Sequence, residues 1–150
     1  MTDFKLRPAR AEEEETIRQT VRDAGLFPFD IIWRRFIVAV DGDERIVGVG
    51  QIKPHFDGSF ELASIAVLPD WQGKGVGKKV VRKLVRDFKR THYLFCRIRL
   101  VSFYEQFGFE KIESADMPFY FRTADLILNG GFRLFRRPEY LAIMRYVPKK

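Results

Sequence analysis

The sequence predicts a mixed α/β (α+β) chain, and three observations carry that expectation. Short apolar runs rich in Val, Ile and Phe are bounded by Gly, Pro and Asp, the pattern of strands between turns. Two stretches, Ala11 to Ala24 and Gly77 to Lys89, place their apolar residues at helical spacing instead. Between them an apolar strand runs through Pro69 into the glycine-rich turn Gln72-Gly-Lys-Gly-Val-Gly77 and on into a basic helix.

Taken in order, Phe4 to Pro8 alternates apolar and polar residues and reads as a first strand ended by proline. A helix follows over Ala11 to Ala24. Its successive acids suit the positive helix end, Ile17 and Val21 form an apolar stripe, and Gly25 stops it. Leu26 to Asp30 reads as a turn into a short second helix, and Phe36 to Val40 as a strand. Asp41-Gly42-Asp43 marks a hairpin into a strand over Arg45 to Lys53. The turn Phe56 to Ser59 leads into the strand Phe60 to Val67. After the glycine turn, Val80, Val81, Leu84, Val85 and Phe88 form the inner face of a helix with Lys and Arg between them. Tyr93 to Cys96 is a short buried strand, and Val101 to Phe107 a helix stopped by Gly108. Phe109 to Ile112 is a strand, and Leu141 to Val147 closes the sheet.

Between those last two strands lies Ser114 to Glu139, rich in Phe, Tyr and Arg. It reads as helical from Pro118 onward and weakest at Asn129-Gly-Gly131. No repeat, low-complexity tract or linker interrupts the chain, so residues 1–150 read as one domain. At 46% hydrophobic residues it has the material for a core. The N-terminus lacks a basic stretch followed by an apolar run, and no apolar segment approaches the length of a membrane span, so a cytoplasmic protein is expected. Cys96 is the only cysteine, which excludes an intramolecular disulfide and a cysteine-rich metal site. With His55 and His92 the only histidines, no metal enzyme is expected. Both histidines read as surface residues, and Cys96, in an apolar strand, as inert core.

The net charge of +7 favours polyanions, among them nucleic acid, anionic lipid and coenzyme A, and does not choose between them. The glycine turn is more selective. Gly73, Gly75 and Gly77 let backbone approach a ligand, and the helix behind them presents unpaired N–H groups and a positive dipole end, which suits a pyrophosphate. Neither common nucleotide motif is spelled out. Lys78 stands where a dinucleotide fingerprint needs its third glycine, and the Walker spacing is missing.

Gln72 to Gly77 does read Gln-x-x-Gly-x-Gly, which resembles the coenzyme A pyrophosphate loop of the GCN5-related N-acetyltransferase (GNAT) family. Ile65-Ala-Val67 resembles that family's splayed fourth strand, and Phe103-Tyr-Glu-Gln-Phe-Gly-Phe109 its helix-to-strand signature. The resemblance covers residues 4 to 112 and the last strand. It implies a twisted mixed sheet of six to seven strands with helices on both faces, with 114–139 as a helical insertion before the last strand. It also implies acetyl-CoA as co-substrate and a small-molecule or peptide amine as acceptor. Ile65, Ala66 and Val67 would pair with the pantetheine arm. Gly73, Lys74, Gly75, Val76, Gly77 and Lys78 would hold the pyrophosphate, with side-chain donors from Gln72 and Lys78. Glu61 matches the glutamate that some members use to deprotonate the amine through water, although others use water alone. Tyr104 matches the tyrosine that protonates the leaving thiolate. Arg97 departs from the pattern: it stands where the family often has an asparagine, so a contact to the cofactor arm is lost or replaced by one to phosphate.

Two other functions stay open. One is a catalytically silent acyl-CoA-binding module. The other is nucleic-acid binding through Arg122, Arg133, Arg136 and Arg137, interleaved with Phe119, Tyr120, Phe121, Phe132 and Phe135. Nucleic acid is the weaker expectation, because the same aromatics would bury the added helix or a homodimer surface. The acceptor would be set by Leu26 to Trp33, by Lys53 to Phe60 and by the insertion.

Overall fold

A computed structural model describes residues 3–134 and 141–149, with side chains through Gly130 and again from Leu141. The strands are β1 (Lys5–Pro8), β2 (Phe36–Val40), β3 (Ile46–Pro54), β4 (Phe60–Val67), β5 (His92–Arg97), β6 (Glu110–Lys111) and β7 (Leu141–Tyr146). The helices are α1 (Glu14–Asp23), α2 (Val76–Asp87), α3 (Val101–Glu105) and α4 (Phe119–Leu134). Hydrogen bonding orders the strands β1-β2-β3-β4-β5-β7-β6, a mixed seven-stranded sheet in which β4 and β5 run parallel. The chain divides into two compact units, Met1–Lys53 with Leu62–Phe88 and Pro54–Glu61 with Lys89–Lys150.

In the first unit, β1-β2-β3 pair antiparallel, with Val38 opposite Val49 and Ala39 opposite Gly48. These two pairs point to opposite faces. Ile17 and Val21 of α1, both fully buried, join Phe36, Val38, Val40 and Val49 on one face. Burial of side chains this size stabilises by about 1.5–3 kcal/mol each. On the other face lies α2, which buries Val76, Val80, Val81, Leu84 and Val85. The helix comes so close that a Cβ on Gly50 would meet Ile65 at 2.6 Å and Val80 at 2.7 Å, and one on Gly48 would meet Val76 at 2.6 Å. Helices therefore cover both faces of this unit's strands, and two glycines are the condition for one of them.

Gly25 ends α1 as the sequence implies. It sits at φ 78° and donates to the Arg22 carbonyl at 3.0 Å, while Leu26 N–H reaches Val21 at 3.2 Å, the paired bonds of a left-handed helix stop. The expected second helix is reduced to one 3-10 turn at Trp33–Arg35. Asp30 at φ 60° and the β-branched pair Ile31-Ile32 leave too few residues to repay nucleation of an α-helix.

In the second unit, β5 and β7 pair antiparallel from His92–Tyr146 to Arg97–Leu141, and β6 adds Glu110 opposite Arg145. α4 covers this sheet: Phe121, fully buried, joins Ile112, Met117 and Ile143, with Tyr93, Phe95 and Tyr120 around them. Within its described residues the insertion is thus helical over Phe119–Leu134, as its composition implies. Asn129 is not its weak point. It is 3% exposed, its amide donates to the Leu141 carbonyl at 2.9 Å, and its Oδ1 accepts from Leu141 N–H at 2.7 Å. The side chain imitates a peptide group and clasps α4 to the start of β7, so the helix runs on through Asn129 and Gly130. Both histidines also depart from the surface reading. His92 is fully buried on β5, where Nδ1 lies 2.9 Å from the Arg90 carbonyl, and burial holds its imidazole below the ordinary histidine range. His55 is described below.

Candidate functional site

The turn between β4 and α2 is built by backbone. A 3-10 turn at Pro69–Trp71 caps the strand, then Gly73 and Gly75 take φ 79° and 84°, a region glycine enters without the cost other residues bear. A Cβ at either would meet nothing within 4 Å, so these glycines serve conformation and face open space. Gly75 caps α2. The Lys79 N–H is the first to bond back, to the Gly75 carbonyl at 3.1 Å, so the N–H groups of Val76, Gly77 and Lys78 have no acceptor among the described residues. Lys74 and Lys78 are exposed around them, Lys74 Nζ lying 5.3 Å from the centre of the Trp71 ring. This set fits a pyrophosphate: free amides, a positive dipole end and room for a bulky anion. Gln72 does something else with its side chain. Nε2 donates to the Val67 carbonyl at 3.1 Å, tying the loop back to the end of β4.

β4 itself carries a feature that the sequence did not announce. Ser64 lies in mid-strand at φ 60°, a conformation few non-glycine residues adopt, and it interrupts the alternation just before Ile65, Ala66 and Val67. Gln51 Nε2, from the buried Gln51 side chain on β3, supports the irregularity by a 3.0 Å bond to Ser64 Oγ. Serine gives no left-handed signal, which is why this turn in the strand was not legible.

In the second unit, Glu61 stands opposite Tyr93, the single registered pair between β4 and β5. It is 8% exposed, so it is buried and is not a solvated strand-end glutamate. His55, from the turn before β4, meets it: Nε2 lies 2.7 Å from Glu61 Oε1. The imidazole stacks on Tyr120 of α4 at 3.6 Å between ring centres and takes the edge of Phe121 at 5.7 Å. Asp57 in the same turn accepts from Tyr120 N–H at 2.9 Å. Burial would push its carboxyl up, but hydrogen bonds from Ser59 and Tyr120 outweigh that and hold it below the usual carboxylate range. At the N-terminal ends of β4 and β5 lies an open depression of about 420 Å³, lined by Asp57, Ser59, Phe60, Arg90, Tyr93 and Pro118. The Arg90 guanidinium sits over the Phe60 ring at 4.5 Å.

Tyr104 on α3 is 8% exposed, packed edge-on to Phe103 and Phe109, and its hydroxyl has no hydrogen-bond partner among the described residues. Burial pushes its phenol well up, so it stays protonated across the physiological range. Cys96 is buried, with its thiol pushed up to about 11 by burial, in keeping with inert core. Arg97 is exposed at the end of β5. In α4, Phe121 is core and Tyr120 packs on His55, while Arg122 bonds to the Ser114 and Met117 carbonyls, so this part of the aromatic–arginine run is spent internally. Phe135, Arg136 and Arg137 lie outside the described residues, as do the side chains of Phe132 and Arg133.

A family model described as an acetyltransferase (GNAT) domain matches residues 33–111, just over half of the chain. The chain belongs to the GNAT family. The matched segment contains Glu61, Ile65–Val67, Gln72–Lys78 and Tyr104, and ends before α4. Among curated relatives, an uncharacterized N-acetyltransferase of Pyropia yezoensis is 29% identical over 75 residues, 47% of this chain and 43% of that protein. A chloroplastic GCN5-related N-acetyltransferase of Arabidopsis thaliana is 29% identical over 72 residues, 45% of this chain and 28% of that protein. The match thus spans less than half the length of either relative. Solved structures share the fold across nearly the whole GNAT chain. A Mycobacterium tuberculosis protein in complex with CoA aligns at TM-score 0.73 and 19% identity, covering 97% of this chain and 99% of that one. The Escherichia coli ribosomal-protein-S18-alanine N-acetyltransferase aligns at 0.68 and 15%, covering 99% and 96%. N-acetylglutamate synthase of Neisseria gonorrhoeae, complexed with coenzyme A and N-acetyl-glutamate, aligns at 0.72 and 14%, covering all of this chain and 36% of that one.

Proposed function

We propose that this GNAT chain is an N-acetyltransferase that moves the acetyl group of acetyl-CoA to an amine by direct attack in a ternary complex. The observation that carries the reading is the β4–α2 junction. Two left-handed glycines and the N–H groups of Val76, Gly77 and Lys78, which have no acceptor among the described residues, support an anion site at the position of the family's pyrophosphate motif. Lys74 and Lys78 add charge, and Gln72 stiffens the loop from within. The Ser64 irregularity re-aims the backbone of Ile65–Val67, which supports pairing of these residues with the pantetheine arm and polarisation of the thioester carbonyl.

The acceptor amine enters by the depression beside Tyr93 and Arg90. Glu61 takes a proton from its ammonium group, directly or through water. The freed nitrogen then forms a bond to the acetyl carbon as the C–S bond breaks. Tyr104, held neutral by burial, gives its phenolic proton to the departing thiolate and is re-protonated from solvent. A buried carboxylate with a fixed partner and a buried neutral phenol weigh against a silent acyl-CoA-binding module. No described helix is long and apolar enough to cross a membrane. A cytoplasmic location is part of this proposal, set against one relative whose name places it in the chloroplast.

The experiment is a screen of polyamines, amino acids, aminoglycosides and peptide N-termini with acetyl-CoA, read by release of free thiol. Thiol release that depends on one class of amine and is lost in Glu61→Gln supports the assignment. Release that is absent across the panel, with acetyl-CoA still bound in calorimetry, returns the chain to the binding-module reading.

A further inference from the structure

We infer that His55 is the positioning residue of the base: it donates to Oε1 of Glu61, fixes the orientation of that carboxylate, and leaves Oε2 as the atom that takes the amine proton. This deepens the transferase reading above and rests on it.

The argument starts from the contact itself. An N···O separation of 2.7 Å requires a proton between the two atoms. For Glu61 to serve as the base its carboxylate must accept here, which places the proton on His55 Nε2, aimed at Oε1. The pair is shielded, the His55 and Glu61 side chains being 9% and 11% exposed. A buried carboxylate oxygen needs a donor in place of its lost hydration, and among the described residues this imidazole is the one donor to Glu61. Oε2 has no partner among those residues, so its lone pairs remain for a proton.

The imidazole in turn is held by two adjacent aromatic rings of α4. Tyr120 covers it at 3.6 Å with the rings 15° from parallel, and Phe121 stands against it at 89°. Tyr120 is fixed by the Asp57 carboxylate from the turn that also carries His55, whose own N–H bonds to the Ser59 carbonyl at 2.8 Å. The insertion helix α4 therefore does more than cover the sheet. It clamps the ring that aims the base, and it lies outside the segment matched by the family model.

Two variants separate hydrogen bonding from packing. His55→Phe keeps a ring for Tyr120 and removes the donor, whereas His55→Gln keeps an N–H at the position of Nε2 and removes the ring. With acetyl-CoA and the best amine of the panel, His55→Phe should lose roughly ten- to a hundredfold in kcat with little change in the KM for acetyl-CoA, the loss expected when a base is misplaced. His55→Gln should recover at least tenfold of that loss. The reverse order, or equal loss in both, makes His55 a packing residue and overturns the inference. A second readout needs no turnover: the parent should show a slowly exchanging imidazole Nε2–H resonance, assigned by its loss in His55→Gln, that disappears in Glu61→Ala. A resonance unchanged in Glu61→Ala also overturns it. If Glu61→Gln turns over like the parent, the base assignment fails by itself, while the resonance still reports whether the His55–Glu61 bond exists.

Discussion

The two units are built by opposite means. In the first, beside the buried Gln51–Ser64 bond, packing and the glycine turn rest on what is missing: Gly48 and Gly50 have no Cβ where α2 must lie, and Gly73 and Gly75 have none where the chain turns left-handed. In the second they rest on buried polar side chains, namely Glu61, His92 and Asn129, with His55 beside them, each tied to a named partner. The first unit should therefore be damaged by added atoms, the second by removed ones. Backbone chemistry suits an invariant ligand part such as a pyrophosphate, while side chains are free to be fitted to an acceptor and its proton transfers.

The largest effect expected from this contrast is at Tyr104. Tyr104→Phe removes one oxygen from the second unit and should lower turnover by roughly ten- to a thousandfold, up to about 4 kcal/mol of barrier, with acetyl-CoA affinity nearly unchanged. Unchanged turnover under rate-limiting chemistry would reduce Tyr104 to packing. Next comes an added group in the first unit. Gly50→Val drives branched carbon into Ile65, Val80 and Leu84 and should cost about 3 kcal/mol in denaturant unfolding. A cost below about 1 kcal/mol would show that α2 shifts freely and that the close approach is dispensable.

Asn129→Ala then tests removal on the other side. It strands the Leu141 N–H and carbonyl, so about 2 kcal/mol of stability should be lost, with backbone exchange at Leu141 accelerated. Gly75→Val meets no neighbour and suffers only its φ of 84°, so it should cost about 1–2 kcal/mol of strain and weaken acetyl-CoA binding by roughly tenfold. Tight binding by this variant in calorimetry would remove the pyrophosphate from this loop.

The smallest effect is a slope with pH. Burial lowers the folded value of His92 from the ordinary 6.5, so its contribution to stability is present above about pH 6.5 and is lost as pH falls through the depressed folded value. Parent protein should therefore melt at a lower temperature at pH 5 than at pH 7, and His92→Leu should flatten that difference. An unchanged difference in the variant would assign the acid slope to other groups.

Much of this was determined by the sequence alone. The period-two strands, the apolar faces of α1 and α2, the stop at Gly25 and the glycine turn are local, because each depends on a few neighbouring residues and the φ they accept. The helical insertion was legible on the same ground, since its apolar content demanded burial. What only the tertiary structure decided is where polar side chains meet. His55 reads as a surface residue until α4, far along the chain, folds Tyr120 over it and the turn brings it to Glu61. Asn129 reads as a helix breaker until β7 offers it a peptide group. Ser64 reads as an ordinary strand residue until the buried Gln51 holds it left-handed. A polar residue's role depends on its partner, and these partners lie 6, 12 and 13 positions away or, for Tyr120, in another helix, beyond the reach of any local pattern.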